Sequence, residues 1–130
     1  MFIANTFAQN KSDLTVNVSR INEIKGSLFV YLYSQSDGFP TDLKKAVKYK
    51  KVKVNSKKIK IRFNNVYNRN YAVLVYHDIY SNNVMETNFL GMPKEPVGVS
   101  NNVESNFVPP DFYDAIFKFN SNTIIDIRIE

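Results

Sequence analysis

Apolar and polar residues alternate with a period of two along much of this chain. In DLTVNVSR, residues 13–20, Leu14, Val16 and Val18 interleave with polar positions, the mark of a strand with one buried face. Residues 27–34, SLFVYLYS, and 70–77, NYAVLVYH, are almost wholly apolar and predict central strands covered on both faces. Between them, residues 49–54 and 57–64 predict a hairpin turning at Asn55-Ser56. It places Val52, Val54, Ile59, Ile61 and Phe63 on one face. Lys51, Lys53, Lys58, Lys60 and Arg62 fall on the other. Asp37-Gly38 and Pro40 mark a loop, with a short helical turn at 41–47. Two further strands, 112–119 (FYDAIFKF) and 123–129 (TIIDIRI), close the pattern.

Isoleucine and valine are frequent and alanine is scarce, which favours strands over helices. The reading is an all-β protein, a single seven-stranded antiparallel β-sandwich over residues 10–130, Ig-like in kind. Its expected core is Leu14, Val16, Val18, Leu28, Val30, Leu32, Val52, Ile59, Ile61, Phe63, Val73, Val75, Phe117, Ile125 and Ile127. One long loop, 78–111, follows the fifth strand, and connections of that length are functional or disordered. Its prolines and its Phe89, Leu90 and Phe107 predict packing over one end of the sandwich.

The chain's 130 residues fit one domain with one core. The absence of cysteine excludes disulfides, cysteine zinc sites and a thiol nucleophile. No apolar run is long enough to span a membrane. Residues 1–9 read as the tail of a truncated signal peptide, with Ala8 before a cleavage point at Gln9. That reading predicts an exported protein, periplasmic or secreted.

The net charge of +5 is uneven. Residues 44–62 hold ten of the seventeen Lys and Arg and no acid, whereas 78–114 hold six acids against Lys94 alone. In the expected hairpin Lys53 opposes Lys58 and Lys51 opposes Lys60, an arrangement that costs stability unless an anionic partner relieves it. Lys51, Lys53, Lys58, Lys60 and Arg62 therefore form a candidate surface for loose anionic contact. Exposed lysines also protect a sheet edge from aggregation without any partner. No aromatic residue interleaves on that face, so nucleic acid is not the expected ligand.

The run YAVLVYHD, the pattern TN-LG-PKE-G-SNN (Thr87, Asn88, Leu90, Gly91, Pro93, Lys94, Glu95, Gly98, Ser100, Asn101, Asn102) and F-PP-F-DA-F resemble the family catalogued as domain of unknown function 2141. The resemblance spans nearly all of residues 13–130. It implies a small exported bacterial β-sandwich of the transthyretin-like (prealbumin-like) or carboxypeptidase-regulatory type and carries no activity with it. Family members read H-D-x-N-x-N-G-x-x-D-x-N after the strand. Here His77, Asp78, Asn82 and Asn88 are kept, while Tyr80, Asn83 and Glu86 depart from the pattern. Asn70 stands where the family has glycine.

Candidate chemistry gathers at YHDIYSNNVMETNFLG, residues 76–91. Asp78, Asn82, Glu86 and Asn88 have the flavour of a calcium loop, but Tyr80 replaces a ligand and Asn83 the glycine of the bend. The plainer reading is a polar loop braced by Asn and Asp bonds to its own backbone. His77, the chain's one histidine, shares the parity of Tyr71, Val73 and Val75. A lone histidine at a strand end is more often structural than catalytic, and Asp78 faces the opposite side. A hydrolase would need loop carboxylates such as Glu86, Glu95, Glu104 or Asp111, and no G-x-S-x-G elbow is present. His77, Lys94, Glu95, Ser100, Asn101 and Asn102 form a second candidate cluster, for a small molecule, glycan or peptide; the plainer and favoured reading is that these residues fix the long loop to itself. These readings favour a non-catalytic binding or accessory module with its recognition surface in loop 77–114. No cofactor is required; calcium is the alternative.

Overall fold

The alternation in residues 13–20 folds as strand β1 (Lys11–Ser19), which lies at the centre of a three-stranded sheet. The structure, a computed structural model, describes residues 10–83, 95–104 and 108–130. The signal-peptide reading of residues 1–9 lies outside them. The other strands are β2 (Ser27–Tyr33), β3 (Lys48–Lys53), β4 (Ile59–Tyr67), β5 (Arg69–Asp78), β6 (Val97–Val99), β7 (Phe117–Phe119) and β8 (Thr123–Arg128). A single helical turn, α1 (Phe112–Ala115), and 3-10 turns at Leu43–Lys45 and Ser100–Asn102 complete the described elements. The fold is all-β, as the alternation predicts.

Two sheets face each other, one ordered β4-β1-β8 and the other β3-β2-β5-β6, with β7 beside the start of β5. Leu14, Val16 and Val18 of β1, Ile61 and Phe63 of β4 and Ile127 of β8 meet Leu28, Val30 and Leu32 of β2 and Val73 and Val75 of β5. Every residue of the predicted core joins this cluster, although Val52, Ile59, Phe117 and Ile125 stay partly exposed near its margin. β2 and β5 are apolar on both sides because a second cluster covers their outer face. There Phe29, Tyr31, Tyr33, Leu74 and Tyr76 pack with Val99, Phe112 and Ala115.

The structure corrects the predicted layout in four places. Eight strands, not seven, occur among the described residues, because β6 lies inside the long loop. Residues 112–119 are not one strand. Asp111 caps α1 by accepting from the Tyr113 amide, Phe112 and Ala115 bury one side of that turn, and only Phe117–Phe119 extend. The sheets are not wholly antiparallel, since β8 runs parallel to β1.

The predicted hairpin is also absent. β3 pairs with β2 and β4 pairs with β1, so residues 54–58 carry the chain from one sheet to the other. Val54 N–H donates to Gly26 C=O (3.0 Å) and Ile21 N–H to Lys57 C=O (3.3 Å), fixing that crossing. Lys51 therefore opposes Phe29, Lys53 opposes Ser27 and Lys60 opposes Asn17. The like-charge pairing expected of a hairpin does not arise.

The sheets join along one side. Val97 and Glu130 exchange both backbone hydrogen bonds at 3.1 Å. Gly98 lies so close to β8 that a Cβ there would stand 2.4 Å from the Arg128 carbonyl oxygen. Asn102 completes the join: its side-chain amide donates to Asp126 C=O (3.1 Å) and its oxygen accepts from Arg128 N–H (2.8 Å). On the opposite side Lys50 shares the inward parity of Val52. Its ammonium donates to the Arg62 carbonyl oxygen and lies 5.8 Å from the Phe63 ring centroid. A charge pointing inward at an edge strand discourages pairing with another chain.

Gly98→Ala should push β6 off β8 and cost roughly 1–3 kcal/mol, a loss that thermal unfolding would register as several degrees. Alkali tests the second cluster. Burial pushes the Tyr33 hydroxyl, which donates to Asp42 C=O (3.0 Å), well above the ordinary tyrosine value of 10.0. Burial also raises Tyr31 and Tyr71. A raised folded-state value means the full contribution is present below pH 10.0 and is lost as pH climbs through the folded value. Denaturant melts should hold steady to about pH 9 and then weaken, by up to about 1.4 kcal/mol per pH unit for each such tyrosine. Tyr33→Phe should make that alkaline decline shallower.

Candidate functional site

The end of β5 carries His77 and Asp78 opposite Leu28 and Ser27 of β2. His77 points inward with Tyr71, Val73 and Val75 and is 1% exposed. Its Nε2 lies 2.8 Å from Lys25 C=O, and because a carbonyl only accepts, the proton sits on Nε2. Its main-chain N–H donates to Pro96 C=O (3.0 Å). The close passage of the 25–26 backbone requires Gly26, at φ 70°, since a Cβ there would lie 2.1 Å from Asp78 C=O.

Asp78 is fully buried on the other side of the strand. Its Oδ1 accepts from Asn82 N–H (3.2 Å) and its Oδ2 from Asn83 N–H (2.7 Å). Ser81 (φ 56°) and Asn83 (φ 59°) take the left-handed backbone that closes this turn. Lys51 reaches across from β3 to donate to Asn83 Oδ1 (2.8 Å). Glu95 matches Asp78 from the returning chain. Its Oε1 accepts from the Tyr76 hydroxyl and its Oε2 from Ile79 N–H, both at 2.8 Å. Two buried carboxylates thus fasten the points where the loop leaves β5 and comes back to it.

Ser100, Asn101 and Asn102 stand apart from His77, further along β5 and at β8. The Ser100 hydroxyl accepts from Val73 N–H (2.9 Å) and donates to Ala115 C=O. Asn101, at φ 63°, donates to Asp114 C=O (3.0 Å) and Ile116 C=O (2.9 Å). With Asn102 on β8, these three side chains replace backbone partners that the irregular segment lacks. Glu86, Asn88 and Lys94 lie outside the described residues. Among the described residues no group of three or more His, Asp or Glu is arranged to hold a metal ion. The geometry assembles Asp78 with Glu95 at one end of β5 and turns His77 away from both.

A different constellation appears on the outer face of the β4-β1-β8 sheet. The central strand presents short side chains, Thr15, Asn17 and Ser19. Arg62 and Ile124 flank Thr15, Lys60 and Asp126 flank Asn17, and Arg128 stands beside Ser19. Lys58 continues the β4 side. The floor is half-buried or buried and the walls are exposed, which makes a trough. Its larger part, about 610 Å³, is lined by Asn17, Ser19, Lys58, Lys60, Asp126 and Arg128. A smaller part of about 230 Å³ follows on the same face at Asp13, Thr15, Arg62 and Ile124. Asn17 Nδ2 donates to Asp126 Oδ1 (3.2 Å) across the floor. Beyond Asp13, Tyr67 is half-exposed with the Lys11 ammonium 4.6 Å from its ring centroid.

Sequence reasoning identified Lys58, Lys60 and Arg62 but missed Asn17, Ser19, Asp126 and Arg128. The alternation of DLTVNVSR and TIIDIRI already sets those four outward. What it does not contain is the strand order that brings them beside the lysines.

Residues 16–126 match the family model described as "Uncharacterized protein conserved in bacteria (DUF2141)". No curated protein and no solved structure matches the chain.

Asp78→Ala removes a buried carboxylate that accepts from two backbone amides and should cost about 1–3 kcal/mol. A braced loop loses that stability equally in EDTA and in millimolar calcium. A calcium loop instead shows a calcium-dependent rise in unfolding temperature that the substitution abolishes.

Proposed function

We propose, for a chain that belongs to the DUF2141 family of bacterial proteins, a non-catalytic binding role in which the outer face of the β4-β1-β8 sheet takes an extended anionic ligand. The observation that carries this reading is the trough itself. It has a cationic wall of Lys58, Lys60 and Arg62 along β4, faced by Arg128 beside Asp126 on β8, above a floor of short polar side chains. Its flanking strands lie about 10 Å apart, two strand spacings, wide enough for one extended chain. The non-catalytic part rests on how the described candidates are occupied. The Nε2 of His77, both oxygens of Asp78 and both of Glu95 are engaged by groups of the fold. The two facing sheets fit a sandwich of the immunoglobulin or transthyretin kind, a scaffold that offers sheet faces and end loops for recognition. The trough is preferred to the loop end as the recognition surface because its polar groups face solvent.

Immobilised dextran sulfate, a generic polyanion, supplies the test. The protein should bind at low ionic strength and release as salt screens the contact. Replacing Lys58, Lys60 and Arg128 together by alanine should weaken binding at least tenfold, about 1.4 kcal/mol. Replacing Lys44, Lys45 and Lys48 together removes the same charge elsewhere and should leave most of the affinity. Equal loss in the two triple variants would show diffuse attraction and overturn the reading.

A further inference from the structure

Resting on that reading, we infer that the trough is built for an acidic polysaccharide of the polyuronate class, with carboxylates and free hydroxyls alternating along the chain. Length is the first reason. Asp13, Thr15, Asn17 and Ser19 mark successive steps along β1, so the face runs for about 20 Å at two residues per step. A small anion would occupy a fraction of it.

The mixed lining is the second reason. A phosphate polymer presents acceptors and no hydroxyl donors along its length, and is best served by donors alone. This trough sets Asp126 beside Arg128 on β8, with Asn17 between Asp126 and Lys60 and Ser19 beyond. A carboxylate in that place repels a phosphate chain, yet it accepts hydrogen bonds from sugar hydroxyls. Asn17 already donates to Asp126 Oδ1, which fixes the carboxylate's orientation and leaves its second oxygen for a ligand. Arg128 suits a planar carboxylate, which a guanidinium binds through two parallel hydrogen bonds. The lysines add point charges.

Aromatic content is the third reason. Single-stranded nucleic acid needs a series of rings on which successive bases stack. Within the described part of this face, Tyr67 is one ring at the far end, beside Lys11 and Arg69. One ring suits the apolar face of one sugar.

The test compares polygalacturonate, its fully methyl-esterified form, polyphosphate and an oligothymidylate by titration calorimetry on the full chain at physiological salt. Polygalacturonate should bind, and esterification should abolish the heat. Asp126→Asn then separates the two explanations. Under this inference it weakens polygalacturonate about fivefold through the lost charged acceptor and tightens polyphosphate. If the trough senses charge alone, the substitution tightens both, and the inference falls while the anion-binding reading stands. Polyphosphate or oligothymidylate binding as tightly as polygalacturonate also overturns the inference. Failure of every anion to bind overturns both. Asp126 is exposed, and unchanged thermal unfolding of the variant would confirm that the fold is intact.

Discussion

The parallel docking of β8 beside β1 is the constraint from which the rest of the architecture follows. A parallel pair cannot be closed by a tight turn, so something other than a hairpin must hold β8 in place. Here Glu130 and Asn102 supply it. Glu130 exchanges backbone bonds with Val97, and Asn102 presents to β8 the donor and acceptor that a neighbouring strand residue would present. The same join sets β6 against β5 and carries Pro96 to the His77 amide and Glu95 to Tyr76 and Ile79. It also brings Asp126 and Arg128 level with Asn17 and Ser19. One seam therefore organises both the braced end of β5 and the trough on the opposite sheet.

That seam explains how buried polar residues serve a region with little regular structure. Burying a carboxylate is costly unless its oxygens are satisfied, and Asp78 and Glu95 meet that condition through amides and a tyrosine hydroxyl. In return they fix the backbone on both sides of the loop. Ser100 and Asn101 do the same toward β5 and α1 with neutral groups. Loss of any one of them deprives backbone donors or acceptors of the partners they have here, so these side chains are confined by structure before any ligand is considered.

The faces of the strands were legible in the sequence, and their partners were not. A period of two places Leu14, Val16 and Val18 inward and Asn17 and Ser19 outward whichever strand lies alongside. Residues 54–58 are short enough for a hairpin and equally able to cross between sheets. The deciding bonds come from Gly26 and Ile21, remote in sequence. β6 is three residues long and shows no period at all. α1 did leave a readable signal, with Asp111 as cap and Phe112 and Ala115 three apart, but the apolar run through Phe119 masked it. His77 and Asp78 were placed on their correct faces. The trough stayed hidden because half of it lies on β8, whose direction and neighbour no local pattern encodes.

Reassigning one strand also changes what the basic window means. Read as a hairpin, residues 44–62 form one positive sheet surface that calls for an anionic partner simply to relieve repulsion. Divided between two sheets, the same residues meet three different environments. Lys50 turns inward and caps the Arg62 carbonyl. Lys51 lies over the Phe29 ring at 5.4 Å and holds Asn83, so it belongs to the braced loop. Lys58, Lys60 and Arg62 remain on the outer face of β4, where neutral Thr15 and Asn17 separate them from β8. Among the described residues no like charges oppose each other across adjacent strands there, so the case for a ligand rests on shape and on mixed chemistry. A cationic β4 wall facing Arg128 and Asp126 across a neutral floor is the mixed chemistry on which the proposed choice among anions rests, and a uniformly positive surface would not have it.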